Sequence, residues 1–232
     1  MFDFLFSDLQ AVLLLSAAAM AAKDRVNAAI DASKVGAGPD TRLGRAVAAG
    51  AAGNSAFDAD GLRANIIGIV IGAIPTLSKA SCLAVEELLR RPDVLAKARA
   101  LAAAGDEAGV ADHLWEALRF SPVNPILYRR APRATSIGGT EVAAGTMVLA
   151  ANLSAMFDDA VVPKANRFVA GRPWGIYALW GEGLHLCWGD RINKAILPAM
   201  LTPLLAKPAL KQLSPPDGEG TPFPRHYRLG WR

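Results

Sequence analysis

Trp180-Gly-Glu-Gly-Leu-His-Leu-Cys-Trp-Gly189 is the most informative stretch of this 232-residue sequence. Gly181 and Gly183 lack a Cβ, so the backbone can turn tightly there and lie close to a flat ligand. A helix predicted to begin at about Trp188 places Cys187 at a helix N-terminus, where free amide hydrogens and the helix dipole favour a thiolate. A thiolate in a glycine-lined loop is a good axial ligand for haem iron. The spacing alone is equally compatible with a buried, inert cysteine.

The same stretch resembles the haem-binding loop of the cytochrome P-450 family, Phe-Gly-x-Gly-x-His-x-Cys-x-Gly. Every fixed position matches except the first, where Trp180 replaces the usual phenylalanine. The resemblance implies that the chain binds haem b and that Cys187 is the axial ligand of its iron. It further implies that His185 contacts a haem propionate and that the cofactor lies against the three loop glycines, Gly181, Gly183 and Gly189.

Other segments resemble the family in the same order along the chain. Glu116-Ala-Leu-Arg119 resembles the Glu-x-x-Arg of the helix behind the haem, although this spacing is also that of an ordinary surface ion pair. Ala165-Asn-Arg-Phe168 resembles the later Pro-Glu-Arg-Phe, which implies Arg167 as the third member of a salt-bridged triad. Residues 65–80 resemble the long distal helix that crosses the haem face. Arg129 is a second expected propionate partner, with Arg130 as its competitor. The resemblance covers residues 40–206.

Composition indicates a folded, mainly helical protein. Hydrophobic residues make up 52% and charged residues 20%, which excludes a disordered chain, and aromatic residues reach only 7%. The net charge of +4 is scattered along the chain, so no nucleic-acid partner is expected. Cys82 and Cys187 cannot form a disulfide framework, which predicts a reducing, cytoplasmic setting. The apolar run 9–22 falls short of the ~20 residues that a membrane span needs, so no transmembrane segment is expected.

Local signals predict six long helices and a small β region. The helices are expected over about 7–33, 41–52, 58–91, 92–104, 106–120 and 188–205. The stretch 65–74 is apolar all round, which predicts a helix at the centre of the core. Short strands are predicted at 126–130, 136–137 and 146–150, with a turn at Gly145, and residues 155–183 show no long element. We therefore expect one P-450-like haem domain: an N-terminal helix (1–40), a family-like region (41–206) and a proline-rich tail (207–232).

The distal-helix motif departs from the family pattern. The family usually has Ala/Gly-Gly-x-Asp/Glu-Thr there, whereas this chain has Gly72-Ala-Ile-Pro-Thr76. Thr76 keeps the hydroxyl that the resemblance places in catalysis, but Pro75 replaces the acid and cannot carry a proton. Proline inside a helix also frees the carbonyl four residues earlier, at Ile71. Usual monooxygenase proton delivery is therefore in question.

The chain also lacks the family's usual N-terminal half. One side of the haem would be exposed unless something covers it. The apolar segment Phe2–Phe6 and the first helix are candidate covers, through a second copy or another protein.

These features give two competing functions. The first is a haem-thiolate oxidoreductase that acts on an apolar or fatty-acid-like substrate. The resemblance implies a monooxygenase with a redox partner or, because family members without the acid often use peroxide directly, an enzyme that uses peroxide or a fatty-acid hydroperoxide. The second is a non-catalytic haem-binding sensor or subunit that completes its fold with a partner.

Overall fold

The fold is mainly helical with a small β region, as expected. A computed structural model describes residues 17–232, so the predicted start of the first helix at Ser7 and the segment Phe2–Phe6 lie outside the described residues. The main helices, in chain order, are α1 (Ala17–Val35), α2 (Arg42–Ala51), α3 (Ala59–Leu89), α4 (Pro92–Ala103), α5 (Glu107–Phe120), the single turn α6 (Asn152–Ala155) and α7 (Asp190–Leu205).

The strands form three antiparallel pairs. Their bounds are β1 (Leu127–Arg130), β2 (Thr135–Ile137), β3 (Thr140–Val142), β4 (Met147–Ala150), β5 (Lys211–Asp217) and β6 (His226–Gly230), and β1 pairs with β4, β2 with β3, and β5 with β6. Gly138 and Gly139 have φ of +56° and +81° and close the β2–β3 hairpin. Strand β3 was not predicted, because three residues are too few to show an alternation of polar and apolar side chains.

Helix boundaries follow local chemistry. The Asp106 carboxylate accepts a hydrogen bond from the Gly109 amide at 2.9 Å and caps α5, and Pro92 occupies the first turn of α4. Helix α7 starts at Asp190, two residues later than predicted, and Asp190 pairs with Lys194 one turn on. These boundaries place residues 181–189, here called the cysteine loop, directly before α7.

The chain divides into two compact units. The first comprises the residues up to Ser78 together with Asp217–Arg225, and the second comprises Lys79–Pro216 together with His226–Arg232. In the first unit, the Asp31 carboxylate of α1 pairs with Arg63 of α3 and, at 2.6 Å, with Lys34. The second unit is built on α4, α5 and α7, whose apolar sides form its core; Ala98, Leu114, Leu118, Leu201 and Leu205 are all buried.

The apolar middle of α3 is not at the centre of a core. Every residue from 65 to 74 is half-buried or exposed, and the Ile69 and Ile74 side chains are 49% and 59% exposed. The expectation of a central core helix is therefore wrong for this stretch, because the described residues cover it only in part. By length and composition alone α3 would also pass as a membrane span, with 11% of its most apolar window buried.

Candidate functional site

The cysteine loop joins the 3-10 turn Ala178–Trp180 to α7. The Trp180 carbonyl accepts a hydrogen bond from the Cys187 amide at 3.0 Å, which closes the loop at its base. Gly181 and Gly183 both have φ of +73°, a conformation that side chains with a Cβ rarely adopt. The two glycines thus allow the loop to turn twice within three residues.

Cys187 is exposed and free. Within the part of the chain that the structure describes, the amides of Trp188 and Gly189 make no hydrogen bond, and α7 begins one residue further on. A Cβ built on Gly189 would lie 3.7 Å from the Cys187 sulfur, so the backbone approaches that sulfur closely. Orphan amides and the helix dipole favour negative charge at this position.

The other cysteine has a different environment. Cys82 lies in α3 and is half-buried, and burial raises the pKa of its thiol above the ordinary value, with a smaller contribution from the Glu86 carboxylate. A thiol that is kept protonated by burial is a poor metal ligand. Of the two cysteines, only Cys187 has a sulfur placed to bind an external group.

The loop also presents apolar surface. The side chains of Leu184, Leu186 and Trp188 are exposed, and His185 is exposed between the two leucines. A soft sulfur ligand, two left-handed glycines and apolar side chains beside a polar histidine fit a flat, mostly apolar cofactor with anionic edges. Haem b has this chemistry. No group of three or more His, Cys, Asp or Glu side chains occurs among residues 17–232 that would hold a bare metal ion instead.

Strand β1 borders the loop. A Cβ on Gly181 would lie 3.6 Å from the Leu127 side chain, and Arg129 follows two residues later on the same strand. The Arg129 side chain is exposed, donates to the neighbouring Tyr128 carbonyl at 2.8 Å, and makes no ion pair within the described residues. It therefore keeps donors for an anion, as does Arg130, which donates to the Gly145 carbonyl at 2.9 Å. The alternation of side chains along a strand puts Arg129, and not Arg130, on the same face as Leu127.

A buried carboxylate supports the loop from behind. Glu116 and Arg119 of α5 are both fully buried, and two hydrogen bonds of 2.9 and 3.0 Å join them. Arg119 also donates to the carbonyls of Met156 and Ala165, both at 2.8 Å. The predicted pair is therefore present as a buried ion pair, and a surface salt bridge is excluded.

Arg172, which the sequence analysis missed, is the second cation on Glu116. Its Nε lies 3.1 Å from the Glu116 carboxylate, and its remaining donors bind the carbonyls of Pro163, Lys164 and Arg167. The predicted third member, Arg167, has an exposed side chain and contributes only its carbonyl. Arg167 and Arg172 both lie in an irregular segment, where no periodicity of the sequence shows which side chain points inward.

Tyr177 and three tryptophans connect this network to the loop. The Tyr177 hydroxyl donates to Glu116 at 3.4 Å, and burial together with that carboxylate raises the pKa of Tyr177 above its ordinary value. Trp174 and Trp180 are stacked, and Trp115 of α5 contacts both rings edge-on. The base of the cysteine loop is therefore held by a packed aromatic group.

Thr76 lies in the first unit, on α3. Its hydroxyl donates to the carbonyl of Gly72 and, at 3.3 Å, to that of Ala73. Pro75 is buried and, having no amide hydrogen, donates nothing to the Ile71 carbonyl.

The first unit also contains a groove of about 530 Å³ between α1, α2 and α3. Its lining is mainly apolar and includes Val26, Ile30, Leu43, Ile66 and Val70.

Comparison with known proteins finds relatives that are cytochrome P-450 proteins. Nocardicin C N-oxygenase of Nocardia uniformis subsp. tsuyamanensis is 31% identical over 152 residues, which are 64% of this chain and 37% of that protein. Cytochrome P-450 99A2 of Oryza sativa subsp. japonica is 30% identical over 174 residues, covering 64% and 33%. No protein-family profile matches the sequence.

Solved structures show the same fold. The ligand-free form of CYP105P1 superposes with a TM-score of 0.76 at 23% identity, over 100% of this chain and 60% of that one. Mycobacterium smegmatis CYP164A2 gives a TM-score of 0.73 at 21% identity, over 98% and 56%. These relatives fit a truncated, cytochrome P-450-like protein, and the chain spans about a third of the length of the curated relatives that it matches. Haem b is the cofactor of these relatives.

Proposed function

We propose that this chain binds haem b through the Cys187 thiolate, as one P-450-like domain of residues 1–232. The observation that carries the proposal is the exposed, free Cys187 in a glycine-turned loop directly before α7. His185 and Arg129 would hold the anionic propionates, since both are exposed cationic or polar side chains next to that loop. Gly181, Gly183 and Gly189 let the backbone approach the cofactor plane.

The reaction that fits this site is the oxidation of an apolar organic substrate. Haem, when bound to a thiolate, supplies the oxidising chemistry. Thr76 is the hydroxyl that would hold a proton on the distal side, and Pro75 beside it cannot relay one. This favours a peroxide or a fatty-acid hydroperoxide as the oxidant alongside the monooxygenase route with a redox partner. An apolar or fatty-acid-like substrate is what the family resemblance implies.

Catalysis is favoured over haem binding alone because the relatives include a named N-oxygenase. Partners follow from what is exposed. The uncovered apolar stretch of α3 supports a covering polypeptide, either a second copy or another protein, and the low cysteine content supports a cytoplasmic setting.

The test is the absorbance spectrum of the purified, haem-supplemented protein, first ferric and then reduced under carbon monoxide. A strongly red-shifted Soret band is expected, because a thiolate ligand donates electron density to the iron. Cys187→Ala should abolish that band, whereas Cys82→Ala, the matched control in α3, should keep it. An unchanged band in Cys187→Ala would reject the proposal.

A further inference from the structure

Three indole rings beside the cysteine loop form one continuous contact group, here called the indole cluster: Trp115, Trp174 and Trp180. The centroids of Trp174 and Trp180 are 5.2 Å apart, and their planes are inclined by 26°. Trp115 meets these two rings edge-on at 6.0 and 5.5 Å. Such stacked and edge-on contacts are favourable packing in themselves, so the cluster needs a further feature before it indicates a function.

That feature is the position of its two ends. Trp180 is bonded directly to the cysteine loop, because its carbonyl accepts the Cys187 amide hydrogen at 3.0 Å. Trp174 is 40% exposed, whereas Trp115 is 6% exposed. The stacked pair therefore runs from the base of the loop to solvent, with Trp115 packed behind it.

The charges around the pair are balanced. The Lys194 ammonium lies 3.7 Å from the Trp174 centroid and 5.9 Å from the Trp180 centroid, which by itself would oppose removal of an electron from either ring. The Asp190 carboxylate lies 3.1 Å from the same ammonium, so the ring faces an ion pair and not a lone cation. The Tyr177 ring contacts Trp174 at 5.7 Å and donates its hydroxyl proton toward Glu116.

We propose that the Trp174–Trp180 stack conducts electrons from the surface to the cysteine loop, and that Trp174 is a surface oxidation site for bulky phenols. The inference rests on the proposed function, since haem held by Cys187 is the group at which peroxide is reduced. Indole is among the most readily oxidised side chains. Trp180 occupies the position of the loop motif where the family usually has phenylalanine, so the oxidisable path extends to the loop.

The electrons come from two phenol molecules and reduce one molecule of hydrogen peroxide. Trp180 gives an electron toward the loop, Trp174 refills Trp180, and a phenol at the surface refills Trp174 with one electron while losing its hydroxyl proton. Two phenols become two phenoxyl radicals, and one hydrogen peroxide takes the two electrons and two protons and becomes two waters. No other oxidant or reductant is required.

The experiment uses the haem-loaded chain, hydrogen peroxide and a phenol grafted onto dextran, which is too large to enter a pocket. Trp174→Phe should lower oxidation of the grafted phenol by at least about tenfold. Trp231→Phe, which removes another half-exposed tryptophan outside the cluster, should leave the rate unchanged. Equal rates for wild type and Trp174→Phe would overturn the proposal.

A second readout is independent of turnover. Peroxide added with a spin trap and without phenol should give a covalent adduct that mass spectrometry locates on the peptide containing Trp174. Adduct only elsewhere would also overturn the proposal. Trp174→Tyr, which keeps an oxidisable ring, should retain part of the activity that is lost in Trp174→Phe. Far-ultraviolet circular dichroism of each variant, compared with wild type, detects any loss of activity that is caused by misfolding. Failure of the carbon monoxide spectrum in wild type would instead reject haem binding itself.

Discussion

Arg172 reaches the Glu116 carboxylate across 56 residues of chain, with its Nε 3.1 Å from the carboxylate Oε1. Both side chains are almost completely inaccessible to solvent, so Glu116 depends on Arg172 and Arg119 together for the compensation of its charge. The same guanidinium ties three carbonyls of the irregular segment 163–167. The pair therefore orders the chain that leads into the cysteine loop.

Arg172→Ala should destabilise the protein by about 3 kcal/mol, because it leaves a buried carboxylate short of one partner. Arg167→Ala is the matched control. The Arg167 side chain is exposed, and the carbonyl that it contributes survives the substitution. The free energy of unfolding should therefore change by less than about 0.5 kcal/mol, as at ordinary surface sites. Urea unfolding of the two variants measures the difference. Equal losses would assign the third triad position back to Arg167.

Gly183→Ala should cost about 1 kcal/mol of stability, because φ at this position is +73° and a Cβ makes that conformation strained. A Cβ at Gly183 would meet no atom within 4 Å, so the cost is purely conformational. Gly175 is equally open but lacks the positive φ, so Gly175→Ala should be neutral or slightly stabilising. If both substitutions cost the same in chemical denaturation, strain in the loop is not the cause.

Pro75→Asp should raise oxygen-driven turnover relative to peroxide-driven turnover by at least about tenfold, because it restores a group that can pass a proton next to Thr76. Pro75→Ala is the necessary companion, since it restores the amide hydrogen to the helix without adding an acid. The two turnover rates are measured on the haem-loaded protein, with a reductase pair or with peroxide alone. A ratio that rises equally in both variants would attribute the effect to helix geometry.

The pKa of Asp31 is lowered from 3.8 to about 2, first by the hydrogen bonds of Arg63 and then by those of Lys34. Because the folded-state pKa lies below the unfolded one, the stabilisation from this carboxylate is complete above pH 3.8 and is lost as the pH falls through about 2. Arg63→Gln should move the Asp31 titration back toward 3.8, as followed by carboxyl carbon NMR shifts. Arg45→Gln, which removes a bond to the Asp40 carbonyl, should leave it in place. Titration of wild-type Asp31 near its ordinary value would contradict the pairing.

Local signals predicted the helices well, because their boundaries depend on neighbouring residues. Asp106 caps α5 and Pro92 opens α4 at or next to the predicted positions. The cysteine loop was likewise predicted, since a motif of fixed spacing needs no tertiary information. Confirmation of the family and the fold came from comparison with P-450 proteins.

The rest depended on distant contacts. Arg172 was missed because the burial of an arginine in an irregular segment is decided by the residues that fold over it, here on α5. The apolar stretch 65–74 was expected in a core because its composition favours burial, but composition does not supply a covering surface. Strand β3 was missed for a different reason, because its three residues are too few to show a pattern.

The uncovered flank of α3 should promote adsorption of the chain to surfaces and its self-association in solution. Ile69 and Ile74 offer apolar area that any adsorbing surface can remove from water, at a gain of roughly 25 cal/mol for each Å². The isolated chain should therefore adhere to plastic and sediment as larger species at high concentration, and a trace of non-ionic detergent should disperse it. Part of the handling losses and light-scattering artefacts would thus originate from this helix.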